Sequence, residues 1–189
     1  MRIFAFVDAS NLFYGGEKSL GWKIDYKKLF EYLKEKYSTS KVLYFGGVEI
    51  HNFQYDYQKD ETVPLKDLRA HLLQFLHDKG GELDEAQLLL ISRHIQRVKF
   101  YLKLEEFGYS LFLKPVKLYD QGDGTTKRKA NCDVDMAFWL MKEKEKYNRV
   151  VIVLARGERT AREIRQFAGG NFRDFVRLRS EIEYTKKKI

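Results

Sequence analysis

The sequence predicts an α/β fold with a mainly parallel central sheet. Two observations carry this. Short continuous apolar runs (Ile3–Val7, Val42–Phe45, Ser110–Leu113 and Val150–Leu154) read as strands buried on both faces. Between them lie longer stretches with apolar residues at helical spacing, so strands and helices alternate along the chain.

Taken in order, Ile3-Phe4-Ala5-Phe6-Val7 is the first strand, and Tyr14-Gly15-Gly16 sits in the loop after it. Asp25 caps a helix running to about Tyr37, with Leu29, Phe30 and Leu33 on one face. Lys41 to Ile50 is a second strand, and residues 51–61 form a loop. Leu65 to His77 is helical, with Leu68, Leu72, Leu73 and Leu76 on one stripe, stopping at Lys79-Gly80-Gly81. Leu88, Ile91, Ile95, Val98 and Leu102 favour a further helix that ends at Gly108. Tyr109 to Lys117 is a third strand, and Gly122-Asp123-Gly124 is a turn. A helix bearing Met136, Ala137, Leu140 and Met141 runs from Asn131 to about Tyr147. Val150–Leu154 is a strand, Glu158–Phe167 a helix, and Phe172–Leu178 a last short strand before a frayed tail, Lys186-Lys187-Lys188. The pattern reads as a single domain over 1–185 with a basic tail at 186–189.

Composition narrows the classes. The chain has 189 residues, 44% of them hydrophobic and 15% aromatic, enough for a sizeable core. No apolar run reaches the roughly 20 residues that span a bilayer, and the start lacks a signal-peptide pattern. The expected setting is therefore cytoplasmic, without a membrane partner. A single cysteine, Cys132, excludes an intramolecular disulfide and a Cys-rich zinc site. Lys plus Arg outnumber Asp plus Glu by 35 to 27, a net charge of +8. That excess favours polyanionic partners such as RNA or DNA, though a lysine-rich solvated surface would give the same balance. Aromatics interleave with charged residues at Tyr55-Asp56-Tyr57, Lys99-Phe100-Tyr101 and Phe172-Arg173-Asp174-Phe175. Such mixtures suit single strands, while core or rim positions explain most of them equally. Gly15-Gly16 and Gly46-Gly47 lack the spacing of a nucleotide-binding glycine loop. His51, His71, His77 and His94 have no evident partners in the sequence.

The chemistry concentrates in two acidic motifs. Asp8-Ala9-Ser10-Asn11 follows the first strand directly. In an open parallel sheet, ligands gather beyond the carboxyl ends of the strands, so Asp8 is a candidate site acid and Asn11 its support. Helix capping by Asp8 or Ser10 is the plainer account. Asp133 and Asp135 open a helix, where its dipole alone would favour them. Clustered carboxylates need a cation between them. With no Cys or His set nearby, the hard oxygen donors suit Mg²⁺ or Mn²⁺, which would activate water and stabilise a leaving phosphate oxygen.

Together, Phe6-Val7-Asp8-Ala9-Ser10-Asn11-Leu12 and Asn131-Cys132-Asp133-Val134-Asp135-Met136-Ala137 resemble the NYN domain, the LabA-like branch of the PIN-like nucleases. The resemblance extends over most of the chain. It implies a Rossmann-like three-layer α/β/α sandwich and metal-dependent endonuclease chemistry, usually on RNA. By position, Asp8 and Asp133 would be core metal acids, Asn11 an orienting group and Asp135 an auxiliary acid. Lys127, Arg128 and Lys129 are candidate phosphate contacts, as are Arg156, Arg159, Arg162 and Arg165, which could equally solvate a helix face. A homodimer is compatible with all of this.

One departure matters. The family usually carries a third acidic motif, Ser-Gly-Asp-Gly-Asp-Phe, at the end of a strand that a helix follows. Here Tyr147-Asn148-Arg149-Val150 leads directly into Val151–Leu154 and then Ala155-Arg156-Gly157-Glu158-Arg159. A strand-helix unit on the order of 20 residues is therefore missing near position 150. Natural loss, a deletion, or a stretch omitted from the sequence would each account for it. The alternative function is then a catalytically impaired RNA-binding or protein-interaction module on the same fold.

Overall fold

A computed structural model describes residues 1–8, 21–120, 122, 126–130, 132–154 and 161–185, with backbone alone at 118, 126–129 and 151–154. The elements are β1 (Ile3–Asp8), α1 (Tyr26–Tyr37), β2 (Lys41–Val48), α2 (Leu65–Lys79), α3 (Glu85–Phe107), β3 (Ser110–Pro115), β4 (Lys117–Asp120), β5 (Thr126–Lys129), α4 (Cys132–Lys142), β6 (Arg149–Leu154), α5 (Arg162–Ala168), β7 (Phe172–Asp174) and α6 (Arg179–Ile182).

All six residues of β1 are buried, as a strand flanked by strands and covered on both faces must be. It pairs in parallel with β2 on one side and β6 on the other. β3 extends the sheet beyond β2 and β7 beyond β6, both parallel, giving the order β3-β2-β1-β6-β7. The chain thus winds outward from β1 in one direction, then returns to its other side.

Side chains alternate along the strands and feed two cores. Ile3, Ala5 and Val7 join Val42, Tyr44 and Val48 on one face, beneath α1, α2 and α3. Phe4 and Phe6 join Leu43 and Phe45 on the other, beneath α4 and α5. The result is a mainly parallel sheet with helices on both faces. Each fully buried large side chain contributes about 1.5–3 kcal/mol, so both layers are needed to hold the sheet.

Local signals set the helix ends. Asp25 caps α1, its carboxylate accepting the Lys27 and Lys28 amides. Asp84 and Gln87 form a reciprocal capping box on α3. Gly108, at φ 100°, closes α3 in the left-handed region that glycine adopts without strain.

Several expectations are corrected. α2 stops at Lys79 as expected, but Gly80 stays right-handed and passes into a short 3₁₀ turn instead of a left-handed cap. α4 ends at Lys142 rather than near Tyr147. The Tyr147 ring packs against Phe4 and Phe6, and its hydroxyl donates to the Leu140 carbonyl, so packing pulls the chain off the helical path. The last strand covers only Phe172–Asp174 and turns into 3₁₀ and α-helix. Leu73 and Met141, expected on buried stripes, are exposed. β4 and β5, read as strand exit and basic lead-in, pair antiparallel with each other; Asp123 and Gly124 of the expected turn lie outside the described residues. Among the described residues no helix is long and apolar enough to cross a membrane.

Candidate functional site

The site lies at the carboxyl ends of the parallel strands, at the switch point of the sheet. Successive connections leave β1 toward β2 on one side and return to β6 on the other. Between such strands an open α/β sheet has its natural crevice. Asp8 ends β1 at this point and is 2% exposed. A carboxylate so deep is retained only with partners or a cation to offset desolvation.

The start of α4 approaches from the face that carries Phe4 and Phe6. Gly47 of β2 makes room for it. A Cβ on Gly47 would stand 2.5 Å from the Ala130 Cβ and 2.9 Å from Val116 Cγ2. Only glycine lets the strand end and the lead-in to α4 come this close. Tyr101 of α3 fixes the same residue from the opposite layer, donating its hydroxyl to the Gly47 carbonyl at 2.8 Å.

Two residues beyond Ala130, Cys132 is buried in the first turn of α4. Burial pushes its thiol up to about 12, the charge of Asp8 pushes in the same direction, and Asp135 and Asp133 add to it. Lys114, from the end of β3, pulls the other way. The thiol thus senses acids from β1 and α4 together. Lys114 also pairs with Asp135 at 2.5 Å, both side chains about one-third exposed (32% and 36%). Asp133 faces solvent.

The expected residues therefore divide. Asp8, Asp133 and Asp135 come to one end of the sheet around Cys132. Among the described residues, however, no three His, Cys, Asp or Glu side chains stand close enough together to hold a metal ion. Asn11, Arg156 and Arg159 lie outside the described residues, as does the Ala155–Arg159 stretch where the third acidic motif would fall. Lys127, Arg128 and Lys129 form β5, where only the backbone is described. Arg162 opens α5 and is exposed, as is Arg165.

The donors still fit a divalent cation in kind. Mg²⁺ is commonly held by one or two carboxylates plus waters and substrate phosphate rather than by an all-protein cage. Asp8 and Asp135 both lie within electrostatic range of the Cys132 thiol, one from β1 and one from α4.

Lys114 escaped the sequence reading. Its signal was there, a base at the carboxyl end of a strand, but the partner is 21 positions away and only the fold joins them. The histidines also gain contacts: a ring nitrogen of His71 lies 3.0 Å from the His51 carbonyl, and His77 pairs with Asp78. Of the three aromatic clusters read in the sequence, Tyr101 and Phe175 are core and Phe100 packs against it. The Tyr55-Asp56-Tyr57 cluster instead borders a groove.

That groove, of about 690 Å³, lies between the loop over 50–62, the end of β3, β4 and α4. Its lining includes Asp135 and Lys114 together with Tyr57, Tyr119, Phe138 and Trp139.

No family model matches the chain, and no curated protein matches it. Among solved structures, it is similar to a Vibrio parahaemolyticus protein of unknown function, at 16% identity over 83% of this chain and 68% of the other, with a TM-score of 0.45. It is similar to the bacteriophage T5 5′-exonuclease with bound zinc, at 15% identity over 98% of this chain and 59% of the other, TM-score 0.44. It is also similar to the bacteriophage T5 flap endonuclease in complex with DNA and metal ions, at 16% identity over 83% of this chain, TM-score 0.39. The chain spans only 50% of that last protein. All three are distant likenesses.

Proposed function

We propose that the chain is a metal-dependent nuclease of the NYN/PIN-like kind that hydrolyses RNA phosphodiesters. The observation that carries this is Asp8, a buried carboxylate at the switch-point end of β1, with the acid-bearing start of α4 brought against it. Asp8 and Asp135 would hold Mg²⁺ or Mn²⁺. When bound, the ion supplies positive charge that eases deprotonation of an attacking water and departure of the leaving oxygen. The chain's own residues do the rest. Asp8 is fixed by the strand and needs no reorganisation. Cys132, its thiol protonated at neutral pH, separates the acids without adding charge. Lys114 offsets the negative charge of Asp135 and can turn to a phosphate when substrate arrives. A reducing, cytoplasmic setting suits the single buried cysteine.

The test is cleavage of a labelled single-stranded RNA with Mn²⁺, with an EDTA control. Asp8→Asn keeps shape and removes charge, so it abolishes cleavage while the melting profile stays cooperative. Cleavage at the parent rate by that variant would sink the assignment.

A second reading has its own support. Asp135 is already neutralised by Lys114, and no three-donor cluster forms among the described residues. Both favour a module that binds RNA without cutting it. It predicts salt-dependent binding and no Mn²⁺-dependent product.

A further inference from the structure

The groove beside Asp135 has a composition that phosphodiester chemistry does not need. Phe112 lies at its floor, in contact with Trp139 at 4.1 Å between ring centroids. Three further rings at the opening stay exposed: Tyr57 at 75%, Phe138 at 53% and Tyr119 at 43%. Exposed rings converging on one concavity of this size form a ligand cleft, because isolated apolar side chains would be scattered.

The walls are built to keep their shape. The Leu113 amide donates to Thr62 Oγ1 at 2.8 Å, and the Val63 amide donates to the Leu113 carbonyl at 3.0 Å, tying the loop to β3. Across the opening, Lys142 of α4 pairs with Glu61 of the loop at 2.6 Å. Its ammonium also sits 4.2 Å from the Trp139 ring centroid. Lys142 is thus spent on holding the groove.

Basic residues are concentrated along the β4–β5 pair. In the β4–β5 register, Lys117 stands opposite Lys129, Leu118 opposite Arg128, and Tyr119 opposite Lys127. Four basic residues therefore share one two-stranded ribbon with a ring that opens into the groove. Exposed rings around a nucleotide-sized cleft, with Lys117 in its lining and a basic ribbon adjoining it, match a strand of unpaired bases linked by phosphates. A duplex presents its bases edge-on and cannot offer their faces.

We propose that this groove is a stacking subsite for unpaired bases of a single nucleic-acid strand, its phosphates following the β4–β5 ribbon and leading the strand to Asp135. The proposal rests on the nucleic-acid reading above, but not on cleavage.

The test is fluorescence anisotropy of a labelled uridine homopolymer in EDTA, so that binding is read without cutting, with an RNA duplex alongside. Tyr57→Ala and Phe138→Ala remove exposed rings, and circular dichroism melting checks that the fold survives. Each variant weakens single-strand binding by about tenfold, the usual scale of one stacked base. Binding also quenches Trp139, whereas Trp22 lies in the opposite core cluster. Unchanged affinity in the Tyr57→Ala/Phe138→Ala double variant, or a duplex bound as tightly as the single strand, overturns the groove proposal. If that variant binds normally while Asp8→Asn still abolishes cleavage, the groove proposal fails alone. If the parent neither binds nor cleaves, the nucleic-acid reading fails with it.

Discussion

Gly47 is the point where fold and site depend on one missing methyl group. A Gly47→Ala side chain would sit 2.5 Å from the Ala130 Cβ and 2.9 Å from Val116 Cγ2. Carbon atoms prefer about 3.5–4.0 Å, so the segment carrying Ala130 must retreat by on the order of 1 Å. It cannot escape by a rotamer change, because a Cβ moves only with its backbone. Nor can β2 retreat easily, since its register with β3 runs from Leu43↔Ser110 to Val48↔Pro115 and Tyr101 holds the Gly47 carbonyl. Overpacking of this kind costs about 1–3 kcal/mol. In a chain of this size that lowers Tm by about 2–4 °C per kcal/mol. The displacement also reaches Asp133, three residues beyond Ala130, so cation-dependent activity falls more than stability alone explains. Urea denaturation at constant m-value measures the first effect, and Mn²⁺ titration of cleavage the second. Ala130→Gly removes the closest clash and should recover most of the loss in a double-mutant cycle. Wild-type stability in Gly47→Ala, or no recovery in the double variant, would refute the close-approach argument.

Lys114→Met removes a cation competing for Asp135. A unit charge about 5 Å from a divalent ion, even with water-like screening, opposes its binding on the order of tenfold. Calorimetry should therefore show tighter Mn²⁺ binding in the variant, and weaker binding would assign Lys114 another role. The buried tyrosines set the alkaline limit. Desolvation raises Tyr44, Tyr101 and Tyr109 above the ordinary value of 10.0. Their neutral forms favour the folded state, so their contribution is complete below pH 10 and declines as pH rises above it. The urea midpoint should hold from pH 8 to about 10 and then drop. Tyrosinate absorbance appearing at pH 10 with full amplitude and no unfolding would contradict the burial.

The strands were legible because burial on both faces writes itself as an unbroken apolar run. Ile3–Val7, buried throughout, needed nothing else. α3 was legible from spacing and from Gly108, since a terminal glycine with positive φ is a local device. What failed was decided at long range. Residues 143–147 are good helix formers with no stop, yet the Tyr147 ring is drawn onto Phe4 and Phe6. β4 and β5 carry no alternation of apolar and polar residues, and pairing with each other makes them strands. Within the site, Asp8 was legible from its place after a strand. The Lys114–Asp135 pair was not, because no local pattern links the end of β3 to the start of α4.

The polarity of the sheet explains why acids and groove adjoin. Every strand of a parallel sheet ends on the same edge, so Asp8, Lys114 and the entry to α4 are neighbours by topology. The crevice opens beside β1, at the switch point. The aromatic groove opens at β3, the edge strand of the sheet among the described residues, where the loop over 50–62 and the β4–β5 pair build its walls. A strand of nucleic acid engaging both must cross the first turn of α4. There the helix dipole attracts phosphate, while Asp133 and Asp135 repel it until a cation intervenes. The same turn that would orient the substrate therefore makes its approach conditional on the metal. Productive binding at the acids should strengthen with Mn²⁺ in proportion to cleavage, whereas stacking in the groove should not.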